Sequence, residues 1–325
     1  MKDKKELMIV DAIRKETNKG NLDNISRTEF YQKYYSRNPE VKWAYLASYV
    51  SRNAGWAMTD LKSKPYQILL DERMENQLFL TYERANWLIF NDAYPQLLMY
   101  EWSKREGKPY FHLLPKFGVS NWISEKWHEF WQKKDEEKLL IALIVNEQHL
   151  IQEPVLNQTY YWKNVFRSST FKWQDRLHFS TVLFPTKEGH LFGSSVSKFT
   201  KVCKRIELGK RLAWLLFHSD EKEALYDFHA TTVHTGSRRD YQQFLKRKYP
   251  KTPLLRASYS VIHHHIKDER DWSLTVRKNP DRYLTPLKKT NSVPLNIWYE
   301  KKLHQMEIAV MVDTLYLKVK EKIRR

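Results

Sequence analysis

One cysteine, Cys203, stands in 325 residues, so neither an intrachain disulfide nor a zinc site built from cysteines can form. Glycine is scarce too, at 8 residues, which argues against a glycine-rich phosphate loop and against a sandwich of short, regularly turned strands. Long apolar runs are missing. The longest, Leu139 to Val145, falls far short of the roughly 20 residues that a membrane span requires. Acid is in deficit, with 38 Asp and Glu against 56 Lys and Arg. The opening MKDKKELMIVDAIRKE holds an apolar run of four flanked by acids, so no secretory leader is expected. A lone thiol fits the reducing cytoplasm.

Hydrophobic residues make up 42% and aromatics 14%, including 12 Trp, enough to bury a large core. The net charge of +18 is uneven. From Thr232 to Arg325 there are 21 Lys and Arg against 9 Asp and Glu, a net +12, which leaves +6 for the first 231 residues. Such a surplus bears on association rather than on fold. It points to an anionic partner for the carboxyl-terminal part: a nucleic acid, an acidic protein or a phosphate-bearing ligand. Peripheral contact of the final helix with an anionic membrane is a weaker reading, and the oligomeric state is not specified.

Most segments carry helical spacing. Ser26-Arg27-Thr28-Glu29 and Ser237-Arg238-Arg239-Asp240 have capping-box form, the second opening a basic helix to Tyr249. Asn38-Pro39 reads as an N-cap with a first-turn proline. A long apolar helix is expected from near Tyr66, broken or kinked at Pro95. Further helices are expected in NWISEKWHEFWQKK, in EEKLLIALIVNEQHLIQ, over Val196–Phe217 and from Pro294 onward. Lys187-Glu188-Gly189 marks the one hairpin, and residues 250–294, with five prolines, read as a loop-rich arm. The expected fold is mainly α, a multi-helix globular bundle with one minor β-hairpin near residues 180–193. Residues 1–231 would form a Trp-rich helical core domain, and residues 232–325 a basic region packed on it.

Polar groups in the wrong place mark candidate chemistry. On the wheel of the long helix, Thr81, Arg84, Asn91 and Asp92 fall on the solvent side, whereas Glu83 and Asn86 project into the apolar arc. Glu147 falls among Leu140, Leu143, Ile144 and Ile151. Arg52 and Asn53 lie beside Tyr45, Leu46 and Tyr49. An unpaired buried carboxylate costs several kcal/mol, so these five residues are expected to share one polar cluster, Arg52 neutralising an acid and the amides filling the remaining bonds. Such a cluster is structural, or it is the general acid/base centre of an enzyme. A di-metal bundle site would need two Glu-x-x-His pairs, and Glu125 to His128 is the one present, so no metal and no cofactor is assigned. His234, Gly236, Ser237, Arg238 and Arg239 combine a glycine, a helix start and two guanidiniums, which suit a phosphate or carboxylate. His263-His264-His265 reads as a solvated loop.

The strings SRNAGWAMTDL (51–61), ERANWLIFNDAYPQLLMYE (83–101), ALIVNEQ (142–148), RIELGKRLAWLLF (205–217) and HTGSRRDY (234–241) resemble the YppC-like family of Bacillus and relatives. That resemblance implies a cytosolic protein of a Gram-positive bacterium and brings no activity, cofactor or catalytic residue with it. Two functions therefore stand side by side: a cytoplasmic binder of an anionic partner, and an enzyme using Glu83 and Glu147.

Overall fold

Side chains at the helix entrances set where the helices begin. The computed structural model describes residues 2–156, 181–196, 198–246, 251–265 and 271–324, with side chains from 4 to 315 within those spans. Along the chain come α1 (Lys2–Gly20), α2 (Asn24–Arg37), α3 (Trp43–Asp60), α4 (Lys64–Leu69), α5 (Glu72–Glu106), α6 (Asn121–Lys133) and α7 (Glu136–Leu150). The hairpin strands β1 (Thr181–Pro185) and β2 (Leu191–Ser195) follow, then α8 (Val202–His218), α9 (Lys222–Thr231) and a final helix, Asn296–Arg324. Asp23, Asp71, Ser120 and Asp135 accept from the backbone N–H of Ser26, Met74, Ile123 and Lys138, so each satisfies an orphan donor of a first turn.

Several boundaries differ from the sequence reading, for physical reasons. The cap of α2 is Asp23, not Ser26. Asn38 closes α2, its N–H going to the carbonyls of Tyr34 and Tyr35, instead of opening the next helix. The long apolar helix starts anew at Asp71 and then runs through Pro95 without interruption. The hydrogen bond that a proline removes is tolerated there because Ala93, Tyr94, Leu97 and Leu98 around it are all buried. Asp92 and Thr81, expected on the solvent side, are buried as well. The basic helix shrinks to one turn, Arg239–Gln242, and residues 247–250 lie outside the described residues. So do 157–180, which hold the start of the expected hairpin region.

At the centre lies α7, where every residue from Leu139 to Asn146 is buried. Helices α3, α5, α6 and α8 pack against it, while α2 pairs with α3 and α1 with α5. Apolar character all round is what such a central helix requires. A smaller cluster of Ile25, Met58, Leu61, Leu78, Phe79 and Leu255 is separate from this core. Among the described residues, no helix is long and apolar enough to cross a membrane.

The hairpin is antiparallel, with Leu183 opposite Gly193 and Phe184 opposite Phe192. Asparagines finish both of its edges. On the β1 side, Asn53 Oδ1 accepts from the Leu183 N–H at 2.8 Å and its Nδ2 donates to the Leu183 carbonyl at 2.8 Å, as a neighbouring strand would. On the β2 side, Asn296 accepts from the Leu191 N–H and donates to the Gly189 carbonyl. A two-stranded ribbon with open edges is marginal and prone to pairing with other chains; here the amides close it. Asn53→Leu, which strands both groups of Leu183 in the interior, is expected to cost about 1–3 kcal/mol for each group left unpaired. The urea midpoint should fall with the slope unchanged, and an unmoved midpoint would contradict this role.

Candidate functional site

Glu83 sits on α5 and is 4% exposed. Its counter-charge comes from α2: Arg27 Nη1 donates to Oε2 at 2.9 Å and Nη2 to Oε1 at 2.5 Å, the two-pronged geometry that suits a guanidinium. Arg27 is itself buried and is held by Asn21 Oδ1 at 2.7 Å and Asn24 Oδ1 at 2.6 Å. Burial pushes the Glu83 carboxyl up, but the attraction and hydrogen bonds of Arg27, with a contribution from His264, outweigh it and hold the group below its usual range. His264 Nε2 lies 3.6 Å from Glu83 Oε1, within ion-pair but beyond hydrogen-bond reach, and the ring tilts against Trp87.

A cavity of about 460 Å³ opens beside this pair. Its floor and sides are Met58 of α3, Phe79 and Glu83 of α5, and Leu22 with Asp23 at the start of α2. The segment 255–262 forms the opposite wall through Leu255, Arg256, Tyr259, Ser260, Val261 and Ile262. Phe79 and Tyr259 stack at 3.8 Å between centroids. Arg256 ties that wall to the body by donating to Asp23 at 2.7 Å and to Ser26 Oγ at 3.0 Å. The volume falls in the range of small-molecule sites, roughly 300–1,000 Å³, and the lining is the usual mixture of apolar surface with a few polar groups.

The other four residues of the expected cluster go to separate partners. Glu147 accepts from Trp43 Nε1 at 3.2 Å and from Gln148 Nε2 at 2.9 Å. With no such guanidinium bound to it, burial pushes its carboxyl up to about 7. Arg52 donates to the carbonyls of Thr232 and Val233 at 2.8 Å each and lies 3.5 Å from Asp240. Asn53 serves the strand edge, and Asn86 donates to the Tyr82 carbonyl of its own helix. None of these four lines the cavity beside Glu83.

The five loop residues are brought together, and most of their polar groups face inward. Asp240, the last residue of the box-like string, accepts from Trp56 Nε1 at 2.9 Å, His234 Nδ1 at 3.1 Å and Thr235 Oγ1 at 2.6 Å. Arg238 is bonded to Asp60 from Nε at 2.7 Å to both oxygens and donates from Nη1 to the Tyr241 hydroxyl. Ser237 Oγ pairs with Thr252. Gly236 has φ +70, and a Cβ there would lie 2.4 Å from Leu255 Cβ, so this position needs glycine on both counts. Arg239 is exposed.

Sequence reasoning missed Arg27, His264 and Asp92. Arg27 shares a helix face with Tyr31 and Tyr34, both buried; that spacing was the available signal, hidden by the capping-box reading. Asp92 Oδ2 accepts from Gln96 and Asn146 at 2.6 Å each, and Asn146 Oδ1 accepts from Trp272 Nε1 at 3.0 Å. Burial pushes Asp92 up to about 7, although the bonds from Asn146 and Gln96 pull it back in part. Among the described residues, no three His, Cys, Asp or Glu stand where they could hold a metal ion.

Compared with known proteins, residues 19–291 match the family described as "Protein of unknown function (DUF2515)". The chain is 45% identical over 306 residues to the uncharacterized protein YppC of Bacillus subtilis (strain 168), covering 94% of this chain and 95% of that one. No solved structure matches. Glu83, Arg27 and the whole lining of the cavity fall inside the family span.

Removing one partner of a buried ion pair leaves the other uncompensated, so Glu83→Leu should lower stability by about 3–5 kcal/mol, and Arg27→Met combined with Glu83→Leu should recover most of it. Additive losses in urea unfolding would contradict the pairing. Asp92 and Glu147 make a second expectation. Their folded values lie above the ordinary 3.8 and 4.5, at about 7, so the folded state binds these protons more tightly than the unfolded chain. Their contribution to stability is then largest at low pH, declines as pH rises toward about 7, and is flat above it. Asp92→Asn, which keeps an acceptor for Gln96 and Asn146, should remove its share of that decline; a pH–stability curve parallel to the parent's would rule this out.

Proposed function

We propose, for a chain that belongs to the DUF2515 family of proteins of unknown function, that it is a binding protein for a small, largely apolar molecule carrying an N–H or O–H donor. The observation that supports this is the cavity of about 460 Å³ with the Glu83 carboxylate in its wall. Met58, Phe79, Leu255, Tyr259 and Ile262 would cover the apolar body, where each Å² removed from water is worth about 25 cal/mol. Glu83, kept ionised by Arg27, still has lone pairs beyond the two bonds it accepts from that guanidinium. A donor on the ligand would take them, which fixes its orientation.

The acid/base reading has less support, because its two requirements fall on different residues. Glu147, pushed up to about 7, has a value suited to proton transfer near neutrality but does not line the cavity. Glu83 lines it but is held ionised and neutralised. An anionic macromolecule as partner also has less to stand on. Arg238 is taken up by Asp60, which leaves exposed Arg239 and surface lysines as its carriers. The single free thiol, Cys203, supports a cytoplasmic setting as part of this reading.

Titration with Nile red, a neutral apolar dye, tests the proposal. Saturable fluorescence at one dye per chain is expected, with affinity falling about tenfold or more in Ser260→Trp, which fills the mouth from an exposed position, and in Ile262→Lys. Equal affinity in the parent and both variants, or no saturable binding, would overturn the reading.

A further inference from the structure

The final helix carries apolar residues on two opposite sides, and the rest of the protein covers one of them. We propose that the other is a docking surface for an anionic lipid bilayer, with the helix lying along the boundary between headgroups and acyl chains. It shares no residue with the cleft at Glu83 and does not depend on it.

The covered side is set by packing. Tyr299, Met306 and Ala309 are buried, the helix lies against α4, and Asn296 at its start is bonded to the hairpin. Ile308, Met311, Val312 and Leu315 fall on the side away from Tyr299 and Met306, within an arc of about 100° at roughly 3.6 residues per turn. They are between 44% and 62% exposed. Apolar residues spaced i, i+3, i+4 and i+7 form the stripe that a surface helix ordinarily turns inward; turned outward and contiguous, they mark an interaction surface. In the sequence, Val319 and Ile323 continue the same spacing.

Charge decides what fits the stripe. Residues 316–325 hold five Lys and Arg against one Glu, a net +4, and exposed Lys301 precedes Ile308 by two turns on the same side. A helix with one apolar face and a cationic surround is the form that lies in an anionic bilayer surface: the stripe enters the acyl boundary and the cations meet the headgroups. Other partners meet half of that requirement. A nucleic acid would take up the cations and leave the stripe in water. A second copy, paired along Ile308, Val312, Leu315 and Val319, would cover the stripe. The positions flanking that seam are Ala309, Met311, Tyr316 and Lys318, with no acid among them to face the other copy's lysine. The bilayer alone answers both the apolar stripe and the charge.

Cosedimentation of the full-length protein with vesicles of mixed phosphatidylcholine and phosphatidylglycerol, against phosphatidylcholine alone, tests the surface. Saturable binding to the mixed vesicles is expected, weakening as salt is added, with little to the neutral ones. Val312→Gln combined with Leu315→Gln, which keeps the charge and alters only exposed positions, should weaken binding about tenfold or more while leaving the urea midpoint unmoved. Lys318→Gln and Lys322→Gln should each weaken it about fivefold. Absence of binding to the mixed vesicles would overturn the proposal. So would equal binding by the parent and the Val312, Leu315 double variant, because the contact would then be general attraction to a basic protein. Dimers in analytical ultracentrifugation that the same double variant abolishes, without vesicle binding by the parent, would assign the stripe to a second copy instead.

Discussion

Asp240 is the point on which the arrangement turns. Its carboxylate, 3% exposed, gathers donors from Trp56, His234 and Thr235 and lies beside Arg52. Burial alone would push it toward the neutral acid; His234, Arg52 and Thr235 reverse that and hold it ionised. A charge so buried is tolerable only while its partners stay in place. The segment 234–241 is therefore locked against α3.

The lock positions everything that follows it in the chain. Gly236 lies in contact range of Gly55, and Thr59 Oγ1 donates to its carbonyl at 2.8 Å, which brings Arg238 onto Asp60 at the end of the same helix. Leu255, seated against Gly236, then enters the small apolar cluster with Met58 and Phe79. From there the wall 255–262 closes the cleft, tied down by Arg256 to Asp23. Three arginines, from α2, α3 and the loop, thus match three acids, and one of those acids, Glu83, stands in the wall of the cleft. The cleft is mostly apolar, with the carboxylates of Glu83 and Asp23 and the guanidinium of Arg256 in its wall.

How much of this was legible follows from what a helical period can carry. A wheel reports which face a residue occupies, and so the burial of Glu83, Arg52 and Asn53, the apolar girth of α7 and the helical course of the C-terminal segment were all readable. A wheel says nothing about what stands opposite. Arg27 and Glu83 are 56 positions apart and Arg52 and Asp240 are 188 apart, and no local pattern encodes those pairings. Hence one expected cluster became several. Short box-like strings misled for a related reason: Ser26 and Asp240 satisfy the pattern, but Asp23 caps α2 and Asp240 turns back to Thr235. His264 looked like one of three solvated histidines because the contact that singles it out, Trp87, lies on another element.

Hydrogen–deuterium exchange mass spectrometry with and without saturating Nile red tests the cleft most directly. Slower exchange is predicted in two stretches at once, the 255–262 wall and the part of α5 around Phe79 and Glu83, with the centre of α7 unchanged. Protection elsewhere, or in only one of those two walls, would contradict a ligand held between them.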